Sequence, residues 1–305
     1  MRSGLRARPE SARSSPVGYP RGAYVSAREP DLAQQLGAWA LHLSATAVFT
    51  HLTAAELRGW WLPEKVPHPV FAAVAERERH PQRCGLKVVR LPGPPVVAPV
   101  RGIRLATAAE TLLACAADLH VLDLVPLADS ALRLGHVSLA ELQAAAAQRR
   151  RGVRMLRTVL PLLDQRSESP WESILRVLHV TGGIAVDPQH EIYDDTGAFV
   201  ARADLWLVGT RRIHEYDGGG HREPETQRED LAREHRLAEE RWQRCGYTSL
   251  EVLRRGAQIL ESADRAVGRP HDPGRATAWW DLVASSLYGS AGRTRALARW
   301  TPTNR

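Results

Sequence analysis

From Asp31 onward, apolar and polar positions alternate with a helical period, and Leu32, Leu36, Ala40 and Leu43 fall on one stripe. A second short helix is predicted over 53–59, ending at the Trp60-Trp61 pair. Apolar runs separated by proline-containing turns then predict strands at 69–74, 85–91 and 100–105. Four helical segments follow, at 106–119, 121–134, 138–149 and 153–163. Ser138 stands three residues before Glu141, the spacing at which a serine caps a helix and the glutamate reaches back to it. Residues 31–165 thus read as an α+β, helix-dominated region. Residues 1–30 read as a flexible basic arm, because Pro9, Pro16, Pro20 and Pro30 interrupt regular structure.

A polar stretch over 164–169 marks a boundary, and beyond it the period changes. A helix is predicted from Ser169-Pro170 to about Val180, stopped by Gly182-Gly183. Strands are predicted at 185–193, 199–208 and 212–217, the first two joined by a turn at 194–197. A charged helix over 225–244 and a strand over 247–253 complete an αβββαβ order for 169–255. A helical tail occupies 256–305.

The chain has 305 residues, room for about two domains. It carries 44% hydrophobic and 25% charged residues, which suits globular domains and excludes wholesale disorder. The formal charge is +7 and the pI about 9.8, nearly all from arginine, since the only lysines are Lys65 and Lys87. Arginine suits bidentate phosphate contacts, although a GC-rich genome gives the same bias. The run QRRRGVR at 148–154 reads either as a solvated turn between helices or as a phosphate contact. Cys84, Cys115 and Cys245 are far apart without a CxxC pair, which argues against a disulfide framework or zinc site. No apolar run reaches the ~20 residues of a membrane span, and the first twenty residues lack a signal-peptide core. The expectation is a cytoplasmic protein with no membrane partner.

Three acidic residues fall on successive predicted elements: Glu172 on the helix, Asp204 within the second strand and Glu215 within the third. Glu215 and Asp217 are two apart on a strand, so they leave the same face. Asp204 interrupts an apolar run, between Ala203 and Leu205-Trp206-Leu207, where a carboxylate is costly to bury unless paired or bound to a cation. Hard divalent ions take such oxygen ligands, and they activate water for phosphodiester hydrolysis. Gly218-Gly219-Gly220 then brings His221 near, as general acid, general base or ligand. Each residue also has a plainer use. Glu172 fits a capping box with Ser169, Asp204 can satisfy backbone amides at a bulge, Glu215 and Asp217 can form a polar strand face, and His221 can be an ordinary loop residue. Their joint placement is what points to chemistry.

These stretches carry a resemblance. SPWESILR at 169–176, ADL at 203–205 and EYDG at 215–218 with His221 resemble the actinobacterial endonuclease-like domain related to very-short-patch-repair (Vsr) endonucleases. REDLAREHRL at 228–237 and GYT at 246–248 extend it. Earlier, RGAYV at 21–25, THLTAA at 50–55 and TAAETL at 107–112 resemble the region that precedes such domains in AbiEi-like antitoxins of type IV toxin-antitoxin systems. GRPHD at 268–272 and SLYG at 286–289 match as well. The resemblance implies an α/β restriction-endonuclease-like, PD-(D/E)xK domain that cleaves DNA with Mg2+ or Mn2+. It implies that Asp204, Glu215 and the carbonyl of Tyr216 hold the metal, with Glu172 in the outer shell and His221 near the scissile phosphate. Asp217 stands where the wider superfamily has its lysine.

The expectation is therefore a metal-dependent DNA endonuclease of repair or defence, using Glu172, Asp204, Glu215, Asp217 and His221, with Arg202, Arg222 and Arg228 on the nucleic acid. The alternative is a non-catalytic DNA-binding antitoxin or transcriptional regulator that keeps a nuclease fold. A toxin or a second copy of the chain would be further partners, with Trp279, Trp280 and Leu287 offering an interaction surface or core packing.

Overall fold

The computed structural model describes residues 31–63, 66–78, 82–218 and 224–301, with side chains from 232 onward in its last part. The fold is mixed α/β, with two β-sheets followed by a helical region. The first part contains α1 (Leu32–Ala40), β1 (Val48–Phe49), α2 (His51–Leu57), β2 (Val70–Ala75) and β3 (Leu86–Leu91). Helices α3 (Ala108–Cys115), α4 (Val121–Arg133), α5 (Leu139–Ala147) and α6 (Val153–Val159) follow. Strand β2 lies between antiparallel β1 and parallel β3 and is buried from Val70 to Val74. Its unbroken apolar run is what a strand covered on both faces requires. Residues 100–105, predicted as a strand, form only isolated bridges, because Arg101 (φ 50°) and Gly102 (φ 78°) fold Val100 tightly back onto Ile103.

The second sheet is built from β4 (Val186–Tyr193), β5 (Phe199–Leu207), β6 (Arg212–Tyr216) and β7 (Gln243–Tyr247), preceded by α7 (Pro170–Thr181) and interrupted by α8 (Pro224–Glu239). Strands β4, β5 and β6 are antiparallel neighbours, and β7 runs parallel to β6. Leu205 and Leu207 share a core with Leu175 and Leu178 of α7, whereas Ala203 and Ile213 pack with Leu237 of α8. The helix predicted to reach 244 stops at Glu239, and the following strand begins at Gln243 instead of 247. Arg241 supplies the left-handed residue (φ 58°) at this stop, and Trp242 N–H bonds Leu237 O at 2.8 Å. Glycine, the usual marker of such an end, is missing there. Most of the strand predicted over 247–253 is instead a helix, α9 (Ser249–Arg254), capped reciprocally by Thr248 and Glu251, with only Tyr247 in β7.

The C-terminal helices α10 (Gly256–Ala266), α11 (Arg275–Ser285) and α12 (Ser290–Trp300) pack back on the earlier elements. Trp279 is fully buried, and a side chain at Gly256 would collide with its ring, so the glycine admits the indole. Trp300 meets Phe71 of β2 edge-on at 5.8 Å. One continuous apolar cluster therefore contains residues from Leu52 to Trp300. A buried ion pair fastens α4 to α7: Arg176 donates to Asp129 Oδ2 at 2.6 Å, as does Ser173 Oγ, and Asp164 N–H donates to Oδ1 at 2.8 Å. Burial pushes the Asp129 carboxyl up to about 6 against the pull of Arg176.

Candidate functional site

The local sequence places Glu172 at the start of α7. Pro170 pre-sets the first turn, and Ser169 Oγ accepts the Glu172 amide at 3.2 Å. The Glu172 side chain does not return to Ser169, as a capping box requires. Its Oε2 accepts from the Glu168 amide and from Gln189 Nε2, both at 2.8 Å. A carboxylate here also meets the positive end of the helix.

Strand register carries the next two acids. Leu205 pairs with His214 and Trp206 with Ile213, so one step further Asp204 stands opposite Glu215. At that step the side chain takes over from the backbone ladder, and Asp204 Oδ2 accepts the Tyr216 amide at 2.9 Å. Burial raises the Asp204 carboxyl to about 7; the charges of Glu172 and Glu215 add to the rise, and the Tyr216 amide and Arg233 oppose it. On the other side of β5, the pairs Pro188 with Leu205 and His190 with Ala203 set Gln189 opposite Asp204. Gln189 has φ 55°, a left-handed conformation within a strand that costs about 1–2 kcal/mol for a residue with a Cβ. That twist accompanies its bond to Glu172. Sequence reasoning missed Gln189, for which no local signal exists.

Glu215 is buried and doubly clasped. Arg233 of α8 donates to both its oxygens, through Nη1 at 3.0 Å and through Nη2, and Arg244 of β7 donates through Nε at 2.5 Å. Arg244 also bonds Asp217, whose carboxylate lies against Gly246; a Cβ at Gly246 would fall 1.8 Å from Asp217 Oδ2. The structure thus brings Glu172, Asp204, Glu215 and Asp217 to one end of the sheet. It adds Arg233 and Arg244, neither of which sequence reasoning singled out, although Arg233 lies in the 228–237 stretch that carries the resemblance. Tyr216 meets Asp204 through its amide, and its ring stacks on Trp171 at 5.8 Å. Arg202 pairs with Glu168 at 2.8 Å, both side chains exposed, and its carbonyl accepts from Arg233. His221 and Arg222 lie outside the described residues, as does the side chain of Arg228.

The donor set is all oxygen, which suits Mg2+ or Mn2+ in chemistry. In arrangement, no group of three His, Cys, Asp or Glu among the described residues is placed to hold a metal ion. Arginines neutralise Glu215, so the site fits a cation only where Glu215 exchanges those arginines for it. Among the described residues no helix is long and apolar enough to cross a membrane.

Fold and site together define a mixed α/β protein with an acidic, arginine-clasped sheet end. Two uncharacterized proteins of Mycobacterium tuberculosis, from strains CDC 1551 and H37Rv, are each 29% identical to it over 259 residues, spanning 80% of this chain and 91% of theirs. No protein-family model and no solved structure matches the chain.

Proposed function

We propose that the chain is an endonuclease-type protein of restriction-endonuclease-like fold that acts on DNA, with its chemistry at the Glu172–Asp204–Glu215 end of the second sheet. The carrying observation is the convergence of charge on Asp204, whose carboxyl is raised by both Glu172 and Glu215, with the strand register directing Asp204 toward Glu215 one step beyond the Leu205–His214 pair. Acids converging in a half-buried site are costly unless a cation or a reaction uses them. Asp204 and Glu215 would hold Mg2+ or Mn2+, which supplies charge stabilisation at phosphate and an activated water. Arg233 and Arg244 bring the positive charge that Asp217 does not, from the adjoining helix and strand. Gln189 orients Glu172, and the Tyr216 amide orients Asp204.

A second reading is a DNA-binding antitoxin or regulator without hydrolysis. It is favoured by the closed state of Glu215, whose two oxygens are both occupied by arginine. Incubating the protein with plasmid, duplex and single-stranded oligonucleotides and RNA, in Mg2+, Mn2+ or EDTA, separates the two. Hydrolysis predicts DNA cleavage with either metal, none in EDTA and none from Asp204→Asn. Wild-type protein that binds DNA but leaves every substrate intact establishes the second reading instead.

A further inference from the structure

At the first sheet, on elements that share no residue with the acidic site, a cavity of about 600 Å³ opens between the edge strand β3, the end of α3, the turn joining α5 to α6 and the end of α12. Six cationic side chains line it: Lys87, Arg90, Arg149, Arg150, Arg151 and Arg299, against a single acid, Asp118. Asp118 is taken by Arg151 at 3.0 Å, and Arg150 turns to Glu110 at 2.7 Å. Among the described residues no carboxylate pairs with Lys87, Arg90 or Arg149. Like charges gathered around one concavity repel one another unless an anion enters it.

The turn bearing the arginines is held in place. Gly152 has φ 93°, and a Cβ on it would lie 2.3 Å from the carbonyl oxygen of Leu113, so the turn rests directly on α3. Arg299 is fixed from the far end of the chain by its bond to the Ala117 carbonyl at 2.8 Å. The floor is apolar, with Phe71, Leu113 and Ala117. His51 also lines it, buried, with a φ of 50° and its Nδ1 left without a hydrogen-bond partner. Its ring stacks on Phe71 at 4.7 Å. A buried nitrogen left unmatched is expensive. Burial, reinforced by Arg151 and Lys87, holds this imidazole neutral, with its pKa lowered to about 3, so it keeps one acceptor nitrogen and one donor.

We propose that this cavity binds a phosphorylated small molecule of nucleotide size, its phosphates on Lys87, Arg90 and Arg149 and its less polar part toward His51 and Phe71. Guanidinium groups match phosphate oxygens in pairs. The volume lies within the range of about 300–1,000 Å³ typical of small-molecule sites. A walled cavity with an apolar floor recognises a discrete ligand, whereas backbone contacts to nucleic acid need only an exposed basic face.

The test is calorimetric titration of the full chain in EDTA, which keeps metal chemistry at the acidic site out of the readout. The probes are ATP, pyrophosphate, adenosine and a duplex oligonucleotide. ATP and pyrophosphate are expected to saturate, and adenosine to bind far more weakly. Arg90→Glu and Arg149→Glu, both at exposed positions, should each weaken ATP binding by about tenfold or more. Arg133→Glu makes the same charge change away from the cavity and should leave it within about twofold. Non-saturating ATP at millimolar concentration overturns the proposal, as does equal weakening by all three variants. Duplex DNA that displaces ATP and is lost through the same two variants assigns the cavity to nucleic acid instead.

Discussion

His179 Nε2 and His214 Nδ1 lie 2.8 Å apart in the interior, joining α7 to β6 through one hydrogen bond. The proton positions follow from their neighbours. His179 Nδ1 donates to the Leu175 carbonyl at 2.7 Å, so its Nε2 must accept, and His214 Nδ1 must donate. A proton added to His179 would set two N–H groups head to head. Burial accordingly lowers His179 to about 4 and His214 well below its ordinary value, with the neighbouring imidazole and Arg212 adding to the latter.

That pair predicts acid sensitivity. A histidine whose folded pKa is depressed contributes its full stability above about 6.5 and loses it as pH falls toward the folded value. For His179 the loss between pH 7.5 and pH 5 is roughly 2 kcal/mol by linkage. Urea unfolding at the two pH values measures it, and His179→Gln should shrink the difference. Equal midpoints at both pH values would show that the pair is not held neutral.

The Asp129–Arg176 pair predicts a large stability effect from a single truncation. Arg176→Leu strands a buried carboxylate that otherwise bridges three donors, and the cost should be about 3–5 kcal/mol. Chemical denaturation checks this. A loss within about 0.5 kcal/mol, typical of a surface substitution, rules out a structural role for the pair.

Asp217→Lys places a positive charge where the proposed nuclease reading expects a lysine, yet here it should damage the site. The new ammonium would face Arg244 and release that arginine from its acids, leaving Glu215 with one partner. Gly246→Ala should act through the same place, by pushing Asp217 away, at about 1–3 kcal/mol for overpacking. Cleavage assays and thermal unfolding of both variants test this. An Asp217→Lys variant more active than wild type would mean that Arg244 does not supply the missing charge.

DNA binding should be strongly salt-dependent if Arg202, Arg222 and Arg228 each meet a phosphate. Three such contacts give a slope of log affinity against log salt of about −2.7, and more contacts a steeper one. Fluorescence anisotropy from low to physiological salt reads the slope directly. A flat line removes the phosphate contacts from the proposal.

Much of the fold is legible because periodicity and caps are local. The Ser138–Glu141 cap, the Pro170 helix start, the Gly182-Gly183 stop and the 194–197 turn are all written in neighbouring residues. Thr248 and Glu251 carry an equally local signal, masked in the sequence by the strand pattern around Tyr247. The stop at Arg241 is illegible, since nothing in an arginine announces a left-handed conformation. In the site, Asp204, Glu215 and Asp217 can be found from strand alternation and hairpin spacing, and Glu172 from its place in the first turn of the helix that Ser169-Pro170 announces. Gln189 and the arginines need the register of three strands and the packing of α8, which no short window contains.

The contact between Trp300 and Phe71 joins two ends of the chain that are made at very different times. During synthesis β2 is complete while α12 has yet to leave the ribosome, so one side of Phe71 and of His68 waits uncovered for nearly the whole of translation. Closing that gap carries the entropy of a very long loop. A frameshift just after codon 293 would therefore be felt first in the N-terminal sheet, and the arginine-lined cavity would lose Arg299.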